Sequence, residues 1–233
     1  MFNWRAPSSS GLWFGMVVIT GTRHSGTLFL SSTLQTAGLT TVSRKKVLAG
    51  ATPPPGSMVA VPIPKLPKVS DRARHVVGLV RPWRSWAGVM TEEEPQPEIP
   101  HEVSWWFSNY ALVCELMRTK SRFILLSHDN LLSRPEPSMR RVLEFLGRAE
   151  AFESCLLLPA VAPSMPPFVS RALSREEQDV LDSFWKVVHA DAPMTRRTFQ
   201  RMSVLQETLR RRYPQAGGVA PMPANELQTK VPA

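Results

Sequence analysis

"VVITGTRHSGTLFL", residues 17–30, decides the fold. The apolar run from Leu12 to Thr20 ends in Val and Ile, the pattern of a strand covered on both faces within a parallel sheet. Gly21 and Gly26 then bracket four polar or basic residues. Beyond them Leu28, Leu30, Leu34 and Ala37 fall near helical spacing and stop at Gly38, a good C′ residue. Strand, glycine turn and helix form the first half of a βαβ unit.

The same alternation continues along the chain. "HVVGLV" (75–80) and "RFILLS" (122–127) predict two more buried strands, and "MVAV" (58–61) a short one. "HEVSWWFSNYALVCELM" repeats apolar residues at Val103, Phe107, Tyr110, Val113 and Met117, an amphipathic helix. "SMRRVLEFLG" predicts a helix closed by Gly147. Ser174 and Glu177 stand in capping-box spacing at the head of another, and a last helix covers about Thr195 to Arg212. Prolines in "ATPPPGS" and "VPIPKLPK" argue against helix or interior strand there, as does "TEEEPQPEIP" for residues 91–100. The expectation is a three-layer α/β sandwich with a mostly parallel sheet and a P-loop-like phosphate-binding turn, one domain over residues 1–212. Residues 213–233, rich in Pro, Gly and Ala, predict a disordered tail.

Composition narrows the partner. Lys and Arg outnumber Asp and Glu by 28 to 19, a formal +9 that fits a nucleotide, an acidic glycan, nucleic acid or a membrane surface. The apolar run after Arg5 is far short of the ~20 residues that span a bilayer, so a cytoplasmic protein is expected. Cys114 and Cys155 lie in apolar surroundings without metal-ligand spacing and read as reduced thiols. The basic helix near the C-terminus has no interleaved aromatic platform, which argues against single-stranded nucleic acid.

In an open parallel sheet the ligand lies beyond the carboxyl ends of the strands. There the backbone N–H groups of Ser25 to Leu28 can converge on an anion. The G-x-x-x-x-G spacing matches a Walker loop, but Thr27 and Leu28 stand where its Lys and Mg²⁺-binding hydroxyl belong. Leucine cannot bind Mg²⁺, which weighs against a P-loop nucleoside or nucleotide kinase.

"ITGTRHSGTLFLSSTL" resembles the 5′-phosphosulfate loop of the PAPS-dependent sulfotransferases, whose usual form is a basic residue followed by Ser-Gly-Thr-Thr. "VVGLVRPWRSWAGV" is similar to that family's 3′-phosphate strand ending in Arg, and "RFILLSHDNLLSRPEPSMRRVLEFLG" to its strand, "YEDLL" and "FLG" block. "KLP" at Lys65 to Pro67 is similar to a Lys-Ser/Thr-Pro element of some members. The likeness spans about Val17 to Gly147.

The resemblance implies metal-free transfer of a sulfuryl group from PAPS, leaving PAP, to a hydroxyl or amine on a small-molecule, glycan or peptide acceptor. It implies that Ser25, Gly26, Thr27 and Leu28 line the phosphosulfate. His24 would stand where a Lys or Arg is usual, with Arg23 just before it, Lys65 would neutralise charge from the other side, and Arg81 would pair with the 3′-phosphate. Three positions depart from the family pattern: Leu28 for the second Thr, Pro82 for an Asp or Asn, and Val89 for a serine that Ser85 or Arg84 would have to replace. A general base is also wanted, yet no Asp, Glu or His occurs between Leu39 and Ser70. Glu102, His101, Glu94 and His24 are the candidates. Asp129, beside His128, reads more readily as a structural buttress than as a catalytic acid. Trp105, Trp106 and Tyr110 are candidates to stack on a sugar or aromatic acceptor, but helical spacing reads Trp106 and Tyr110 as core and leaves Trp105 as the surface contact. A catalytically degenerate anion- or partner-binding protein stays open as the alternative.

Overall fold

The computed structural model describes residues 15–93, 99–119, 122–157, 159–162 and 173–212. The predicted tail, Glu94 and residues 12–14 of the first strand lie outside the described residues, as does the side chain of Trp105.

Five strands form one sheet: β1 (Met16–Gly21), β2 (Thr40–Thr41), β3 (Ser57–Ala60), β4 (Ala73–Val80) and β5 (Phe123–Ser127). Their order across the sheet is β2-β3-β1-β4-β5, and every pairing is parallel. Alternate residues of each central strand enter opposite layers. Val18, Val76 and Val80 pack on one face beneath α3 (Trp83–Glu93), α4 (Ile99–Thr119), α7 (Arg175–His189) and α8 (Arg196–Arg212). Val17, Ile19, Val77 and Leu79 pack on the other beneath α1 (Thr27–Thr36) and α6 (Pro135–Leu146). Burial on both faces explains why these strands read as continuous apolar runs.

The punctuation acts as its chemistry dictates. Gly38 (φ 85°) and Gly147 (φ 70°) turn left-handed after α1 and α6. Ser174 accepts from the Glu177 N–H while the Glu177 carboxylate accepts from the Ser174 N–H, a complete capping box.

Two proline-rich stretches correct the expectation. Between β3 and β4 the chain forms a 3-10 helix, Ile63–Lys68, with Pro67 inside it, and a short helix α2 (Arg44–Leu48) precedes β3. Pro64 has no N–H for the Val61 carbonyl, and the Thr20 hydroxyl donates to that carbonyl instead at 2.7 Å. Similarly, α3 runs on through Glu93, and α4 takes Pro100 into its first turn, where a missing N–H costs nothing. A short helix, α5 (His128–Ser133), capped by Ser127, follows β5 directly. Among the described residues no helix is long and apolar enough to cross a membrane.

Candidate functional site

The sheet order creates one reversal point. From β1 the chain leaves towards β2 and β3; from β4 it leaves the other way, to β5. The carboxyl ends of β1 and β4 therefore border a crevice of the kind in which α/β sheets bind ligands. The glycine loop leaves the first of these ends and Arg81 follows the second.

The loop is tightly made. A Cβ on Gly21 would fall 2.1 Å from Ser25 Oγ, which closes that position to any larger residue. Ser25 is fully buried, and its hydroxyl donates to the Thr22 carbonyl at 2.6 Å. Ser25 thus contributes loop shape here, with its hydroxyl donor spent inside the turn. Gly26, at φ 88°, is the N-cap of α1. His24 holds φ 59°, a left-handed conformation that costs a side-chain-bearing residue roughly 1–2 kcal/mol. Thr27 opens the helix half-buried, while Leu28, next along, is 76% exposed.

Arg81 brings the two strand ends together. Its guanidinium donates to the His24 carbonyl at 3.2 Å and to Ser85 Oγ at 2.9 Å. The predicted loop residues, Arg81 and Ser85 therefore meet in one place. Arg84 does not join them: it donates to Gln178 and Asp182 on α7 and lies over the Trp83 ring at 4.3 Å. Of the two substitutes for the absent serine, Ser85 is the one beside Arg81. Lys65 is exposed on the 3-10 helix that follows β3, beyond the same edge of the sheet. Glu102 and His101 stand near the start of α4, their side chains outside what the structure describes.

Behind the loops sits a support made of two residues that helical spacing favours as core. The Tyr110 hydroxyl donates to the Leu79 carbonyl at 2.6 Å and shares a hydrogen bond with Thr22 Oγ1 at 3.1 Å, tying the end of β4 to the start of the loop. Burial pushes this phenol up to about 12, so it stays a neutral donor. One turn earlier on α4, the Trp106 indole N–H donates to the Arg81 carbonyl at 3.2 Å. Both side chains are fully buried, as expected, yet each also aims its polar atom at the crevice loops. Helical periodicity cannot separate those two functions.

On the opposite flank, His128 is buried with its ring edge against Gly26: Cδ2 lies 3.4 Å from where a Cβ would sit. Its Nδ1 is 3.1 Å from Asp129 Oδ1. The Asp129 carboxylate thus orients His128 in the wall of the loop, while the N-cap of α5 is Ser127, which accepts from the Asn130 N–H. Among the described residues no cluster of three or more His, Cys, Asp or Glu side chains could hold a metal ion.

No protein-family model matches the chain, and no curated protein sequence matches it.

Proposed function

We propose that the protein is a sulfotransferase that takes the sulfuryl group of PAPS to a hydroxyl or amine acceptor by in-line displacement without a metal. One observation carries the reading: Arg81 at the end of β4 converges on the glycine loop at the end of β1, 57 residues away in sequence. A fixed guanidinium, a loop closed to side chains at Gly21 and the N–H groups opening α1 suit a ligand with two separated anionic groups.

Bound PAPS would supply the electrophilic sulfuryl group. The chain's own residues have the remaining tasks. Backbone N–H groups of Gly26 to Leu28 bind the 5′-phosphosulfate, and Arg81 with Ser85 binds the 3′-phosphate. His24, with Arg23 before it, and Lys65 offset charge that develops on the bridging oxygen. Glu102 is assigned the acceptor's proton.

The test is PAP binding by calorimetry. Arg81→Ala should weaken it by ~1.5–3 kcal/mol, the worth of a charged hydrogen bond. Equal affinity in wild type and variant would remove Arg81 from the nucleotide site. Transfer from labelled PAPS to an acceptor panel then tests turnover.

A second reading, an anion-binding protein without turnover, has its own support. The Ser25 hydroxyl and two donors of Arg81 are already bonded within the protein. PAP binding with no transfer to any acceptor would favour it.

A further inference from the structure

We infer that the flank formed by α2 and the 3-10 helix is a docking track for a polyanionic glycan, one carrying carboxylates or sulfates, that extends outward from the glycine-loop site. Calling the bound chain an acceptor rests on the transfer reading above; the track itself does not.

The argument begins with charge segregation. No Asp or Glu occurs anywhere from Met1 to Ser70, whereas Arg44, Lys45, Lys46, Lys65 and Lys68 all fall between β2 and β4. Among the described residues none of those five cations is in an ion pair. Arginines elsewhere behave differently: Arg84, Arg140, Arg141 and Arg211 each have a carboxylate partner. From β2 to the end of the 3-10 helix the chain thus holds five cations and no carboxylate of its own, Asp71 following just beyond.

Structure turns the sequence run into one surface. Lys45, Lys46, Lys65 and Lys68 are exposed. In a 3-10 helix residues three apart eclipse one another, so Lys65 and Lys68 share a face of Ile63–Lys68, about 6 Å apart along its axis. Arg72 stitches that helix to α2: its guanidinium donates to the Val47 carbonyl at 2.7 Å and to the carbonyls of Ala51 and Lys68, each at 3.4 Å. Lys45 and Lys46, just before Val47, therefore lie on the element clipped beside Lys68. Lys65, nearest the carboxyl edge of the sheet, forms the end of the track towards the glycine loop. The Lys65 and Lys68 charges reinforce one another within the ~8–10 Å over which physiological salt screens them.

The chemistry favours a glycan over other polyanions. Residues 39–70 contain no Phe, Tyr, Trp or His, so bases would find no stacking platform. β2, the edge strand on this side, is two residues long, which leaves an extended acidic peptide almost no backbone to pair with. Lysines are compact point charges suited to sulfate and carboxylate groups held at intervals on a chain.

The test uses the full chain and a fluorescent, heparin-derived hexasaccharide, with the matching disaccharide, an oligonucleotide and an acidic peptide of equal charge as comparators. Wild type should bind the hexasaccharide most tightly and the disaccharide more weakly. The triple variant Lys45→Gln, Lys46→Gln, Lys68→Gln should lose at least tenfold in affinity at physiological salt. Its plot of log affinity against log salt should flatten by about 2, from the ~0.7–0.9 per contact typical of polyanions. PAP affinity and thermal midpoint should stay unchanged in the variant. Equal hexasaccharide binding by the variant, no chain-length dependence, tighter binding of the oligonucleotide or peptide, or parallel loss of PAP binding would each overturn the proposal. If PAP binds neither protein while the hexasaccharide results hold, the donor reading fails and the track stands.

Discussion

Removing one oxygen from Tyr110 tests whether the crevice is held from behind by α4. In Tyr110→Phe the ring keeps its place, since Trp106 lies 4.6 Å and Phe184 6.0 Å away between ring centroids, so no cavity opens. What disappears is the donor to the Leu79 carbonyl and the partner of the Thr22 hydroxyl, both in a dry site. Leaving buried polar groups without a partner costs ~1–3 kcal/mol, beyond the ~1 kcal/mol net worth of an ordinary hydrogen bond. Urea unfolding should therefore show a fall in stability of that size with an unchanged denaturant slope. Because the same hydroxyl joins the end of β4 to the start of the loop, PAP affinity should also fall at temperatures where the variant is fully folded. A variant within ~0.3 kcal/mol of wild type that binds PAP equally well would show that the hydroxyl positions nothing.

Ser174→Ala removes a complete capping box and should cost ~0.5–2 kcal/mol in urea unfolding, with Ser174→Gly milder. Gly21→Ala places a methyl 2.1 Å from Ser25 Oγ and should abolish PAP binding or folding; a stable variant with normal affinity would refute the closed loop. Burial first, then Arg122 and Arg74, lowers His75 from 6.5 to about 4. The unfolded chain therefore takes up a proton that the folded one refuses, so stability is lost as pH falls from about 6.5 towards 4, by up to ~3 kcal/mol. His75→Gln should flatten that part of the urea-midpoint profile. Burial also pushes the Cys114 thiol up to about 12, so iodoacetamide should label the half-buried Cys155 in the native protein and leave Cys114 unmodified.

Local signals were legible where the physics is local. Val17 to Ile19, Val76 to Val80 and Phe123 to Leu126 had to be apolar because both faces of the sheet are covered, and that requirement is written in the runs themselves. Gly38, Gly147 and the Ser174–Glu177 box terminate helices through conformations or bonds spanning three or four residues. The segment 62–68 misled because proline counts against α-helix and interior strand, while a tighter helix uses the N–H groups that remain. Of the candidate site, the loop and Arg81 could be named from sequence, but not the use of Ser25's hydroxyl inside the turn.

The sequence by itself determined four of the five strands, the helix ends at Gly38, Gly147 and Ser174, and the glycine turn that opens α1; it did not mark β2, two exposed threonines. Only the tertiary structure decided that β1 and β4 are neighbours, and with that Arg81 meets His24, Tyr110 joins Leu79 to Thr22, and His128 lies against Gly26. The physical reason is that periodicities of two and 3.6 residues report which side of an element is buried, not which element covers it. Several parallel strands of similar apolar character carry no label for their order in the sheet. That order comes from how the helices and crossovers pack as a whole, and it brings together groups 31 to 102 residues apart in the chain.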